Sequence, residues 1–212
     1  MRYGAAFLVL LACACAGPRR NRPVEPLPPP AWESLFDGAS LAGWAVTPFG
    51  GEGDVRVEDG HILFDIGQPL TGIHWTGDAP PREDYEIVVV VTRVAGSDFF
   101  CGLTFPVGDE HCSLILGGWG GSVCGLSNVD GLDASSNPTT QYRGFVSGLA
   151  YTVRVRVGAD AIEAWLDDEP IVHQVRAGHA FGLRPEVLPS RPLGIASFNT
   201  AARIEEIRLR RP

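Results

Sequence analysis

Nowhere in these 212 residues is there an apolar run long enough to cross a bilayer as a helix, and helical periodicity is nearly absent. The first absence excludes a helical membrane-spanning protein; the second excludes a helix bundle. Positive charge is also scarce, with 17 Lys plus Arg against 25 Asp plus Glu and a formal charge of −8. The arginines are scattered or terminal, so no basic face offsets phosphate repulsion, and nucleic acid is excluded as a partner. The one cluster, Arg208-Arg210-Arg211, reads as the solvated end of a strand. No paired-carboxylate motif of an ordinary glycosidase presents itself.

What the chain does have begins at its first residues. Arg2 is followed by Ala5-Ala6-Phe7-Leu8-Val9-Leu10-Leu11-Ala12, the length of the apolar region of a secretory signal. Leu10-Leu11-Ala12-Cys13 resembles the lipobox of bacterial lipoproteins, which implies a signal peptide over residues 1–12 and lipidation of Cys13. A plain secretory signal cut near Ala14 or Ala16 is the alternative. Ala14 after the cysteine implies, by the same resemblance, an exported lipoprotein of the outer membrane, facing the periplasm or the surface, with the lipid as its only membrane contact. Residues 13–31 then carry Pro18, Pro23, Pro26, Pro28, Pro29 and Pro30 among Arg19, Arg20 and Arg22, an extended spacer rather than a folded unit.

The remaining segment, residues 32–212, suffices for one domain with a sizeable core. Strand signals recur at short intervals. Val55 to Glu58, Asp59-Gly60 and His61 to Phe64 read as a hairpin on a tight turn. Tyr85 to Val94 is apolar on both faces in its middle and should be a central strand covered on both sides. Tyr151, Val153, Val155 and Val157 alternate with polar residues, and after Gly158-Ala159-Asp160 the pattern resumes with Ile162, Ala164 and Leu166. Leu193 to Phe198 and Ile204 to Leu209 close the sheets, with a bulge between Ile204 and Ile207. Roughly a dozen short strands imply an all-β fold of two stacked antiparallel sheets, a sandwich of the jelly-roll kind.

Cys101, Cys112 and Cys124 fall within this domain, and an exported chain permits oxidation. One disulfide and one free thiol are expected, Cys101 with Cys112 or else Cys112 with Cys124. A zinc site with His111 is the competing idea, although the spacing is not that of a compact zinc motif.

Leu35-Phe36-Asp37-Gly38-Ala39-Ser40-Leu41-Ala42-Gly43-Trp44, then Val57 to Leu63, then Asp84-Tyr85-Glu86-Ile87, resembles the opening of the 3-keto-disaccharide hydrolase domain family. That resemblance runs from Trp32 to Pro212 and implies a concanavalin A-like lectin or glucanase sandwich. It also implies a carbohydrate ligand on the concave sheet and, in catalytic members, cleavage of a 3-keto glycoside. The chemistry is intelligible in itself: a ketone at C3 acidifies the C2 proton, so one base can start an elimination that expels the C1 substituent. Asp109, Glu110 and His111 offer base and acid types within one run, against a reading as a polar turn. The chain departs from the family at Ser97 to Gly102 and at His111 to Ile115, where the expected catalytic carboxylate is not in evidence.

In its place stands Trp119, framed by Gly117, Gly118, Gly120 and Gly121, an indole displayed for stacking on a sugar or packed as a cap. Asn128, Asp130, Asp133 and Asn137 supply oxygen donors suited to calcium, against an ordinary turn-rich loop. His74, Trp75 and Arg143 complete the candidate ligand-binding set. The functional expectation is a carbohydrate-binding or carbohydrate-processing domain, with a non-catalytic interaction domain as the alternative.

Overall fold

The computed structural model describes residues 31–211. Cys13, the signal sequence and nearly all of the spacer lie outside the described residues. Fifteen strands follow one another: β1 (Glu33–Ser34), β2 (Trp44–Val46), β3 (Val55–Glu58), β4 (His61–Phe64), β5 (Leu70–Trp75), β6 (Tyr85–Gly96), β7 (Cys101–Val107), β8 (Glu110–Gly117), β9 (Val123–Ser127), β10 (Gln141–Tyr142), β11 (Ala150–Val157), β12 (Ala161–Leu166), β13 (Glu169–Val175), β14 (Gly194–Phe198) and β15 (Thr200–Arg210). They form two antiparallel sheets. The first runs β13-β12-β11-β6-β15-β4-β3, with β1 paired to β15, and the second runs β10-β9-β8-β7-β14-β5-β2.

Alternation explains the layering. Val153, Val155, Val157 and Ile162 on the first sheet meet Leu103, Phe105, Leu114 and Leu126 on the second, all fully buried in one core. The β3–β4 hairpin closes on Asp59 and Gly60, both at positive φ, as the dipeptide dictates. β6 lies between β11 and β15, near the middle of its sheet. Its outward face is covered by charge rather than by a second layer: Glu86 pairs with Arg210 at 2.8 Å and with Arg154 at 3.6 Å, and Arg154 lies 3.7 Å over the Trp165 ring. The β15 register slips between Ile204 and Glu206, the expected bulge.

Two expectations need correction. Arg208 and Arg210 are not merely solvated; they lie over the Trp32 ring at 5.4 and 4.6 Å and fasten the start of the domain to its last strand. The cysteines form no disulfide: Cys101, Cys112 and Cys124 are free and buried. Cys101 and Cys124 stand on either side of Leu116, two strands apart, which at ~4.8 Å per strand exceeds the ~7 Å limit for a bridge. Cys112 lies opposite Phe105, farther down β8 by about 13 Å at ~3.3 Å per residue. Burial raises the Cys101 and Cys112 thiols to about 12, so they behave as small apolar core groups.

Candidate functional site

Because Cys112, Leu114 and Leu116 of β8 point into the core, Ser113 and Ile115 point outward, and the same parity holds on each neighbouring strand. The pairing aligns His74, Gly194, Thr104, Ser113 and Ser127 in one outward row across β5, β14, β7, β8 and β9. The next outward row, Gly72, Ala196, Gly102, Ile115 and Gly125, is almost bare of side chains. A Cβ at Gly102 would come within 3.0 Å of the Phe99 ring, so the missing side chain admits that aromatic over the sheet.

Loops that pack on this face enclose, among the described residues, a cavity of about 210 Å³. Phe99 and Phe198, with ring centroids 5.6 Å apart, form an apolar wall together with Leu70, Val187 and Ile115. Ser113 and Ser127 contribute hydroxyls from the sheet itself. Asp98, Arg184 and Glu186 bring charge to the lining, and Trp119 completes it. Such a mixture of apolar wall and few polar groups is typical of small-molecule sites.

The polar groups are held in place. Asp98 accepts the Phe99 N–H through Oδ1 at 2.8 Å and the Gly120 N–H through Oδ2 at 3.0 Å. Arg184 donates to Glu186 at 2.5 Å and to Asp133 at 2.9 Å, and these bonds raise its affinity for its proton. Ser113 Oγ and Thr104 Oγ1 lie 2.8 Å apart; whichever donates, one hydroxyl proton remains for another acceptor. Trp119 sits at φ 49° and is 42% exposed, on a glycine-rich turn rather than a helix.

The expected site residues divide. Trp119 is at the cavity. His74 shares the outward row and approaches Thr47 Oγ1 at 3.3 Å, and His111 is outward on β8, next after Ser113 on that face; neither lines the cavity. Burial, then the charges of Arg191 and Arg82, lower the His111 pKa. Asp109 and Glu110 are at the end of the sandwich instead, Asp109 paired with Arg82 at 2.6 Å and Glu110 accepting the Phe181 N–H at 2.7 Å. Glu110 and His111 are separated because a strand sends neighbours to opposite faces, and Asp109 stands on the turn between β7 and β8. Trp75 packs edge-on against Trp44 at 5.1 Å, and its indole N–H donates to Asp78 O at 2.8 Å. Arg143 forms a two-pronged ion pair with Glu169 at 2.7 and 2.8 Å, away from the cavity.

The oxygen-rich loop is engaged by the protein itself. Asn137 Nδ2 donates to the carbonyls of Leu126, Leu132 and Asp133, and its Oδ1 accepts from Thr139. Asp130 accepts from the Ala180 N–H and from His179, which hold its pKa down. Asn128 exchanges backbone hydrogen bonds with Gly182. Burial opposes ionisation of Asp133, but the Ser135 hydrogen bonds and the Arg184 charge outweigh it. Among the described residues no three His, Cys, Asp or Glu side chains are grouped to hold a metal ion, and the zinc idea for the cysteines and His111 finds no support in their placement.

Sequence reasoning missed Asp98, Phe99, Ser113, Ser127, Arg184, Glu186 and Phe198 as site residues. Only the departure at Ser97 to Gly102 and His111 to Ile115 pointed there, since those two segments contribute Asp98, Phe99, Ser113 and Ile115 to the cavity. Arg184 and Glu186 arrive from a short 3-10 turn, Pro185–Ser190, and its flank, which no pattern marks.

The fold is shared with solved structures at low identity. The Crh5 transglycosylase in complex with NAG aligns with TM-score 0.60 and 12% identity over 87% of this chain and 87% of that chain. A beta-1,3-glucanase from Mycobacterium marinum aligns with TM-score 0.52 and 11% identity over 87% and 100%. The potassium-bound carbohydrate recognition domain of Emp46p aligns with TM-score 0.53 and 12% identity over 84% and 94%. These likenesses establish the fold, a sandwich of two antiparallel sheets. Comparison with curated protein sequences gives no match. The model of one family covers residues 31–210, and the chain belongs to it: the 3-keto-alpha-glucoside-1,2-lyase-like domain family.

Proposed function

We propose that the cavity on the outward face of the seven-stranded sheet binds a sugar, and that the domain is a carbohydrate-binding or carbohydrate-processing module. The observation that carries this reading is the joint presence of an exposed indole, Trp119, and the carboxylates of Asp98 and Glu186 around an apolar chamber floored by Ser113 and Ser127. An indole covers the C–H face of a pyranose while carboxylate and hydroxyl oxygens take its hydroxyl protons. The glycan-directed names of the structural neighbours support the same class of ligand.

Family membership favours a 3-keto glycoside as substrate. A base takes the proton from C2, the electron pair forms the C1–C2 double bond, and the C1–O bond breaks as an acid protonates the departing oxygen. Asp98 and Glu186 are the basic groups this chain brings to the cavity, with His111 farther along the same face. Export as an outer-membrane lipoprotein is part of this proposal.

Calorimetric titration with neutral mono- and disaccharides tests binding, and product analysis with a 3-keto disaccharide tests cleavage. Saturable binding that Trp119→Ala weakens supports the site. Binding unaffected by Trp119→Ala moves it elsewhere, and the absence of any sugar affinity leaves the interaction-domain alternative.

A further inference from the structure

Arg93, from the C-terminal part of β6, is 6% exposed and has no carboxylate within ion-pair distance among the described residues. A buried guanidinium without an anion is costly unless its N–H groups are used. Here its Nη2 donates to Asp98 O at 3.2 Å, Gly121 O at 3.2 Å and Gly117 O at 3.5 Å. Its Cζ lies 5.0 Å from the Phe100 ring centroid and 5.7 Å from that of Phe145, and these rings hold the guanidinium in place. Those carbonyls belong to the start and end of the turn that presents Trp119, and to the residue whose carboxylate lines the cavity beside it. Gly117, at φ 76°, has no room for a side chain: a Cβ there would stand 2.3 Å from Arg93 Nη2.

We propose that Arg93 is a positioning residue that, from inside the sandwich, holds the Trp119 indole and the Asp98 carboxylate in one fixed arrangement for the sugar. The proposal rests on the sugar-site reading for its purpose but not for its test. All three bonds leave from Nη2, and a lysine, shorter and without the guanidinium that lies against Phe100 and Phe145, does not carry its ammonium to the same point, so Arg93→Lys separates geometry from charge. Removing the fork frees both ends of the turn while leaving the sheet ladders intact.

The test labels the five tryptophans with 5-fluorotryptophan and follows them by 19F NMR, with Trp119→Phe assigning the Trp119 signal. In Arg93→Lys the Trp119 resonance should move and broaden, while those of Trp44 and Trp75 stay in place. An unchanged Trp119 resonance in folded Arg93→Lys overturns the proposal. Should that variant fail to fold, the wild-type chain decides: the proposal requires a Trp119 indole N–H order parameter near the rigid value of about 0.85, and one under about 0.6 overturns it. With methyl α-glucoside and its 3-keto form as probes, Arg93→Lys should weaken binding by about tenfold alone and by clearly less in a Trp119→Ala background, where only the Asp98 carboxylate is left for it to position. A wild-type chain that binds neither probe sinks the sugar reading, and the Trp119 resonance still decides the role of Arg93.

Discussion

Asp98 Oδ2 accepts the backbone N–H of Gly120 at 3.0 Å, tying the residue after Trp119 to a side chain that enters the cavity from a different loop. Replacing Asp98 by Ala strips both Gly120 and Phe99 N–H groups of their acceptor. The expected cost is about 1–2 kcal/mol of unfolding free energy, because both donors are partly reachable by water. Any sugar affinity should fall more sharply than this stability. Urea unfolding and calorimetry on the same sample check the two effects separately.

Trp75 and Trp119 should behave oppositely. Trp75 fills the space left by Gly43 and Gly77, where an added Cβ would approach its ring to 2.6 and 2.4 Å, so Trp75→Ala opens a hole and should cost about 3–5 kcal/mol. Trp119, on an exposed turn, should cost less than about 1 kcal/mol when truncated. Thermal or urea denaturation of the two variants gives the comparison.

Buried thiols raised to about 12 are not nucleophiles near neutral pH. Alkylation with iodoacetamide followed by peptide mapping should leave Cys101 and Cys112 unmodified in the native chain and label them after denaturation without reductant. A mapped Cys101–Cys112 or Cys112–Cys124 bridge would show the core packing to be different.

His111 supplies a pH dependence of definite sign. Its folded pKa lies below 6.5, so its contribution to stability is complete above 6.5 and is lost as pH falls through the lower folded value. His111→Gln should therefore flatten the stability curve just below pH 6.5. The losses from Asp130 and Asp133 belong to lower pH, beginning as the unfolded carboxylates titrate near 3.8 and ending only below their depressed folded values. Urea midpoints measured across this range distinguish the two windows.

Asn137 closes the loop after β9 with three donated and two accepted hydrogen bonds while itself 6% exposed. Asn137→Ala removes these bonds, although Leu132 O and Asp133 O keep the backbone N–H groups of Val129 and Ser136, and should destabilise by about 1–3 kcal/mol. The loss should be the same with calcium or with EDTA, because the loop is held by its own hydrogen bonds.

The sandwich was legible because its determinants are local. Asp59-Gly60 sets a hairpin by its φ preferences, Val153 to Ile162 sets a second by alternation, and the double polar step at Glu205-Glu206 marks the bulge. The cysteines were not legible, since proximity around a turn suggested a bridge that only the register of β7, β8 and β9 excludes. The cavity was half legible. Trp119 stands out by composition, whereas Leu70, Asp98, Arg184 and Phe198 meet only because four distant segments cover one sheet face. Glu110 and His111 illustrate the converse: adjacency in a strand separates side chains.

The most direct test of the sugar site is a two-dimensional NMR titration of the indole N–H signals with methyl α-glucoside and with its 3-keto form. The expected result is a saturable shift of the Trp119 indole, accompanied by the backbone amides of Ser113 and Ser127, with Trp75 unmoved. A saturable shift confined to Trp75 or to the outward face of the eight-stranded sheet, or no shift from either sugar, would contradict it.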